Sequence, residues 1–223
     1  RNVLMVRGGF PPIYTDYYLH LMQHGLRYPE HLDTTLKDAM AMLTLHLVAR
    51  PWAETIAWTV NIRTPRVNLF TTGSSLHQQI TGRCFTEDVR ETDRNIFYSQ
   101  TTVPDEESRR SSLEVDSTNP LEWTENLYRY SEQRPGRAFR LPDETFVLLA
   151  AQPDYDEQWF MSVDTPDIVR LEQTEEHPSL HRAQTSSSGE HKGRHHDGVR
   201  MDVERGPRRC FGIVQKSFFP CNR

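Results

Sequence analysis

Three groups of residues have types and spacings that could do chemistry. The first lies near the C-terminal end, where Cys210 and Cys221 follow His177, His181, His191, His195 and His196. Thiolates and imidazoles are the ligands of a tetrahedral zinc site, but zinc-binding thiols stand two to four residues apart, and ten residues separate these two. His177 and His181 would share a helical face, yet Pro178 interrupts that helix. No Glu follows His177, so the pair is not a zincin motif. The second group is Ser74, Ser75 and His77, a nucleophile type beside a base type. Closeness in sequence is not triad geometry, and serine favours turns, so a turn is the preferred reading. The third is Cys84, between Arg83 and Phe85. It reads as a small buried hydrophobe, because a reactive thiolate needs an electropositive, accessible setting.

Other chemistry-bearing patterns are missing. There is no Gly-x-x-x-x-Gly-Lys-Ser/Thr, no Gly-x-Gly-x-x-Gly and no Gly-x-Ser-x-Gly. Gly8-Gly9 reads as a bend near an unanchored end. Glu87, Asp88, Glu91, Asp93, Asp105, Glu106 and Glu107 fall in turn-like stretches and read as solvated. The expectation is a protein without a catalytic step and without a bound cofactor.

Bulk properties narrow the class. The chain has 223 residues and a net charge of -5, with a pI near 6.1, which speaks against binding nucleic acid through phosphates. Mean hydropathy is -0.70, and no apolar run approaches the ~20 residues of a membrane-spanning helix. Three scattered cysteines and the absence of a leader pattern after Arg1 make a cytoplasmic location the expectation.

The periodicities predict the elements that would position these groups. Thr15 to about Leu26 has helical spacing, closed by Gly25. From Asp33 to Val48, Leu36, Met40, Leu43 and Leu47 mark a helix with Asp33 or Thr34 as N-cap and Arg50-Pro51 as its stop. The period then changes to two, and Ile56, Trp58, Val60 and Ile62 face one way on a strand over 55–62. Further strands are predicted over 67–71, 79–85, 96–103 and 111–115, with a turn at Gly73-Ser74-Ser75. Asn119-Pro120 opens a helix running to about Ser131. Strands follow over 137–141 and 145–151, and Asp154 with Glu157 three residues later resembles a capping box. Links too short for parallel crossovers imply antiparallel pairing, so the fold class is α+β, a mainly antiparallel sheet with packed helices.

The chain divides unevenly. Nineteen of its 22 aromatic residues lie within 1–160, and none lies between Met161 and Cys210. Aromatic side chains carry much of a core, so the core is expected to close near Phe160. The expected domains are 1–175, a packed body, and 176–223, a polar tail. Residues 182–209 are too polar to offset an ordering cost of about 1–2 kcal/mol each, which predicts disorder there.

One segment carries a resemblance. Leu127 to Phe139 is the end of a helix, a proline turn and a new strand, and within it stand Ser131, Glu132, Gln133, Pro135 and Arg137. This Ser-Glu-Gln-x-Pro-x-Arg stretch is similar to that of the Hsp33 family of redox-regulated holdase chaperones. The resemblance spans roughly Thr34 to Val163. It implies an Hsp33-like N-terminal domain and ATP-independent binding of unfolded or misfolded proteins, as part of a stress response, and it admits a homodimer. Family members end in a zinc-binding redox switch with Cys-x-Cys and Cys-x-x-Cys, and this chain has neither. Cys210 and Cys221 are the only candidates for remnants of it, and the tail reads as a degenerate or truncated redox domain. Zinc and redox control are therefore not carried over. The alternative is a non-catalytic α+β interaction module with a single specific partner.

Overall fold

The helix Glu30–Ala49 buries every residue from Asp38 to its C-terminal end. A helix apolar on one stripe lies at a surface, and one buried all round lies inside. In the computed structural model, which describes residues 2–50, 54–175, 202–203 and 213–219, this helix runs between two sheets. The chain order is β1 (Val3–Gly9), α1 (Pro11–Gln23), α2 (Glu30–Ala49), β2 (Thr55–Ile62), β3 (Val67–Ser74), β4 (Gln79–Phe85), β5 (Ile96–Thr102) and β6 (Arg109–Glu114). There follow α3 (Pro120–Tyr130), β7 (Gly136–Leu141), β8 (Thr145–Ala151), α4 (Glu157–Ser162), α5 (Thr165–Glu175), β9 (Asp202–Val203) and β10 (Ile213–Phe219).

One sheet has the order β4-β3-β2-β5-β6 and is antiparallel throughout. Its inner face presents Ile56, Trp58, Val60 and Ile62 to the core, the alternation expected for a half-buried strand. The other sheet has the order β7-β8-β1-β10-β9. Its strands pair antiparallel except for the parallel pair β1–β10. All seven residues of β8, Thr-Phe-Val-Leu-Leu-Ala-Ala, are buried, because both faces of this sheet are covered. Phe146, Leu148 and Ala150 join the core around α2, while Val147, Leu149 and Ala151 meet Phe160, Val163 and Ile168 from α4, α5 and their connection. The α+β class with mainly antiparallel pairing and packed helices is the architecture found.

Several local expectations are corrected. Asp33 and Thr34 are not the cap of α2. The helix begins one turn earlier after Pro29, because Leu32 is already core. Asp33 instead accepts hydrogen bonds from the hydroxyls of Tyr17 (2.9 Å) and Tyr18 (2.8 Å), tying α1 to α2. Gly8-Gly9 is no loose end: it closes β1, which lies between β8 and β10. The cap of α4 is Asp156, which accepts from the Trp159 N–H at 2.9 Å, and Asp154 has a left-handed backbone. A reciprocal box forms later, between Asp164 and Asp167 at the start of α5. The core, expected to close near Phe160, takes in Phe160 and Val163 and extends to Ile168. Ser74 belongs to β3 rather than to the turn. Within the segment read as a polar tail, Ile213–Phe219 form a strand. The rest of 182–209 other than Asp202 and Val203 lies outside the described residues. Asn119 caps α3 as expected, accepting from the Leu121 N–H at 3.1 Å.

Candidate functional site

The Ser131–Arg137 segment is a corner with a structural task for nearly every residue. Ser131 caps α3, and its N–H and that of Glu132 both donate to the Leu127 carbonyl, at 2.9 and 3.1 Å. Glu132 accepts from Arg50 Nη1 at 2.5 Å, while Arg50 Nε donates to Glu54 at 2.8 Å. The Glu54 side chain is fully buried, so Arg50 supplies the charge that makes its burial tolerable. Gln133 takes a φ of 53°, the left-handed turn that reverses the chain. Arg134 donates its N–H to the Tyr128 carbonyl at 3.1 Å and stacks its guanidinium 5.3 Å from the Tyr128 ring centre. The Pro135 carbonyl accepts from Ala151 at 2.9 Å. Gly136 must be glycine for space, since a Cβ there would stand 2.7 Å from Tyr128. Arg137 Nη1 reaches the carbonyls of Phe160 (3.1 Å), Met161 (3.1 Å) and Val163 (2.5 Å), closing the C-terminal end of α4.

Under this corner lies His46, on α2 and fully buried. Its Nδ1 is 3.2 Å from the Tyr128 hydroxyl. Burial, aided by the nearby Arg50 and Arg134 charges, lowers its pKa to about 3, so it is neutral and structural at ordinary pH. His46, Arg50, Ser131, Glu132 and Arg110 border a shallow cavity of about 300 Å³. No sequence signal marked His46, because its partner Tyr128 is 82 positions away.

A larger cleft, about 620 Å³, separates α1 from the β3–β4 hairpin. One wall is the α1 face of Ile13, Asp16, Tyr17 and His20, at positions i, i+3, i+4 and i+7. The other is Gly73, Ser74 and the run Gln79 to Gly82, with Met40 of α2 at the base. Gly82 keeps the base open and close, for a Cβ there would stand 3.0 Å from Leu36 and Met40. Leu19 (51% exposed) stands on the rim of this cleft; the same elements also expose Tyr18 and Met22 (77%) elsewhere on α1, Leu76 (54%) in the hairpin turn and Phe85 at the end of β4. Burial and the adjacent Asp33 carboxylate push the Tyr17 phenol well above its usual pKa, so it stays neutral.

The remaining sequence candidates divide cleanly. Ser74, Ser75 and His77 do come together, but as turn chemistry: Ser74 Oγ accepts from Thr55 Oγ1 at 3.1 Å and from the His77 N–H at 3.2 Å. Ser75 Oγ bridges the Glu54 backbone, accepting at 2.9 Å and donating at 3.2 Å. Cys84 is buried on β4, where desolvation raises its pKa to about 11, the opposite of an activated thiolate. Cys210, Cys221 and the histidines from His177 to His196 lie outside the described residues. Among the described residues no three His, Cys, Asp or Glu side chains are grouped to hold a metal. A four-thiolate zinc site does not fit a sequence with three cysteines. No helix among the described residues is long and apolar enough to cross a membrane.

No family model matches the chain, and no curated protein matches it. Among solved structures, it is similar to the crystal structure of the 33 kDa chaperonin (heat shock protein 33 homolog) from Thermotoga maritima, with 13% identity and a TM-score of 0.46. The match covers 69% of this chain and spans 61% of the length of that one.

Proposed function

We propose that this chain is an ATP-independent holdase: it binds apolar segments of unfolded or misfolded proteins at the α1/β3–β4 cleft and carries out no catalytic step. One observation carries the reading. Of the eight exposed large apolar side chains among the described residues, five belong to α1, the β3–β4 turn or β4. Exposed apolar side chains concentrated on the elements that border one cleft mark an interaction site more than the same number spread over the molecule, and covering them returns about 25 cal/mol per Å². The resemblance of the Ser131–Arg137 stretch to the holdase family supports the same reading. Residues 1–175 supply the binding body, acting in a reducing cytoplasm on clients rather than on nucleic acid or membranes.

The test is light scattering of a heat-unfolding client without ATP, with and without the full chain. Suppression is expected for several unrelated clients, and it should drop severalfold in the Leu19→Ser, Met22→Ser double variant. Suppression of none would remove the holdase reading. One saturable partner in its place would favour the single-partner interaction module.

A further inference from the structure

Building on the client-binding reading above, we propose that β4 holds the client by strand addition: an extended apolar segment without acidic residues pairs with its outer edge beneath α1. β4 pairs with β3 alone, so among the described residues its other edge has no strand partner. Successive side chains of a strand point to opposite faces. Four consecutive residues, Gln79 to Gly82, border the cleft, which therefore reaches the backbone edge of β4 as well as Thr72, Gly73 and Ser74 of β3 and Thr55 of β2. There, outward N–H and C=O groups present the hydrogen-bonding template of an unpaired edge strand.

Among the described residues, two of the other edge strands, β6 and β7, carry more charge than β4. The six residues of β6 include Arg109, Arg110 and Glu114, and the six of β7 include Arg137 and Arg140. Charges of this kind discourage further pairing. β4 has one charge, Arg83, beyond the part that borders the cleft, and its register with β3 is unbroken from Gln79 to Phe85. Nor does it contain proline.

Charge complementarity selects the occupant. Among the described residues Asp16 is the only Asp, Glu, Lys or Arg bordering the cleft, which also has His20 and His77 in its lining, so a segment carrying acidic residues would meet a like charge and no Lys or Arg. A segment with alternating apolar side chains can bury them against Ile13, Met40 and Ile80 while its backbone pairs with β4. One basic residue can lie opposite Asp16. Non-native polypeptides expose such segments, and folded proteins keep them inside.

The experiment measures binding of a fluorescent alternating Val/Thr peptide with one lysine to the full chain, alongside the same peptide N-methylated on its backbone amides. N-methylation keeps the side chains and removes the donors, so strand addition predicts affinity weaker by about tenfold or more. A Gln79→Lys, Thr81→Lys variant, its fold checked by circular dichroism, should weaken the unmodified peptide to a similar extent. Equal binding of the two peptides would overturn strand addition while leaving client binding intact, provided the chain still suppresses client aggregation. Release of a dimer into monomers on peptide binding would also overturn it, by making a second copy the natural occupant. Failure to suppress aggregation would instead remove the client-binding reading itself.

Discussion

The Ser131–Arg137 corner and the α1/β4 cleft are opposites in their use of polar groups. In the corner, the turn backbone and the Glu132, Arg134 and Arg137 side chains are held by Leu127, Tyr128, Arg50, Ala151 or the end of α4. At the cleft, a strand edge lacks a strand partner among the described residues, and Leu19 stands in solvent on the rim. The corner is where the recognisable motif lies, and the cleft has no motif at all. A strongly specified stretch of sequence can therefore be a brace, while the surface proposed to meet other molecules is specified only loosely, by what it leaves uncovered.

The sharpest way to break this contrast is to remove the brace. Arg50→Met leaves Glu54 buried without its counter-charge, and the expected loss is about 3–5 kcal/mol of unfolding free energy, read by urea denaturation. A loss under 1 kcal/mol would show that the corner does not depend on this pair. Gly136→Ala forces a methyl against Tyr128, with an expected cost of about 1–3 kcal/mol in the same assay. His46 adds a pH dependence. Its pKa is about 3 in the folded state against roughly 6.5 unfolded. Below the unfolded value, the unfolded chain takes up a proton that the folded chain refuses. Its contribution is thus complete above that value and falls on acidification by up to about 1.4 kcal/mol per pH unit. His46→Gln should flatten the profile of urea midpoint against pH, and an unchanged slope would count against a neutral buried imidazole. The smallest stability effect belongs to the β3–β4 turn next to the cleft: Leu76→Ser should change unfolding free energy by less than about 0.5 kcal/mol while still reducing suppression of client aggregation.

Much of the fold was legible because its strands are half-buried. The alternation Ile56, Trp58, Val60, Ile62 and the run over 145–151 fixed β2 and β8 to the residue, and Asn119-Pro120 marked the start of α3. β1 was not legible. Its Val-Leu-Met-Val run has no alternation, because both of its faces are covered, and Gly8-Gly9 suggested a loop. The depth of α2 was also hidden: a seam at Leu36, Met40, Leu43 and Leu47 implies one packed face, but Ala39, Ala41 and Thr44 are equally buried between the sheets. For the candidate site, the position of the corner was readable, whereas the pairing of Arg50 with Glu132 and of His46 with Tyr128 was not, since each spans 82 residues. The cleft arises where α1 faces a strand edge more than fifty positions later, and no local spacing encodes that.

Hydrogen exchange of the full chain with and without an unfolding client tests the central claim most directly. Slowed exchange concentrated in Pro11–Gln23 and Gln79–Phe85, with Ser131–Arg137 unchanged, is the predicted result. Protection centred on the corner, or none in either region, would contradict it.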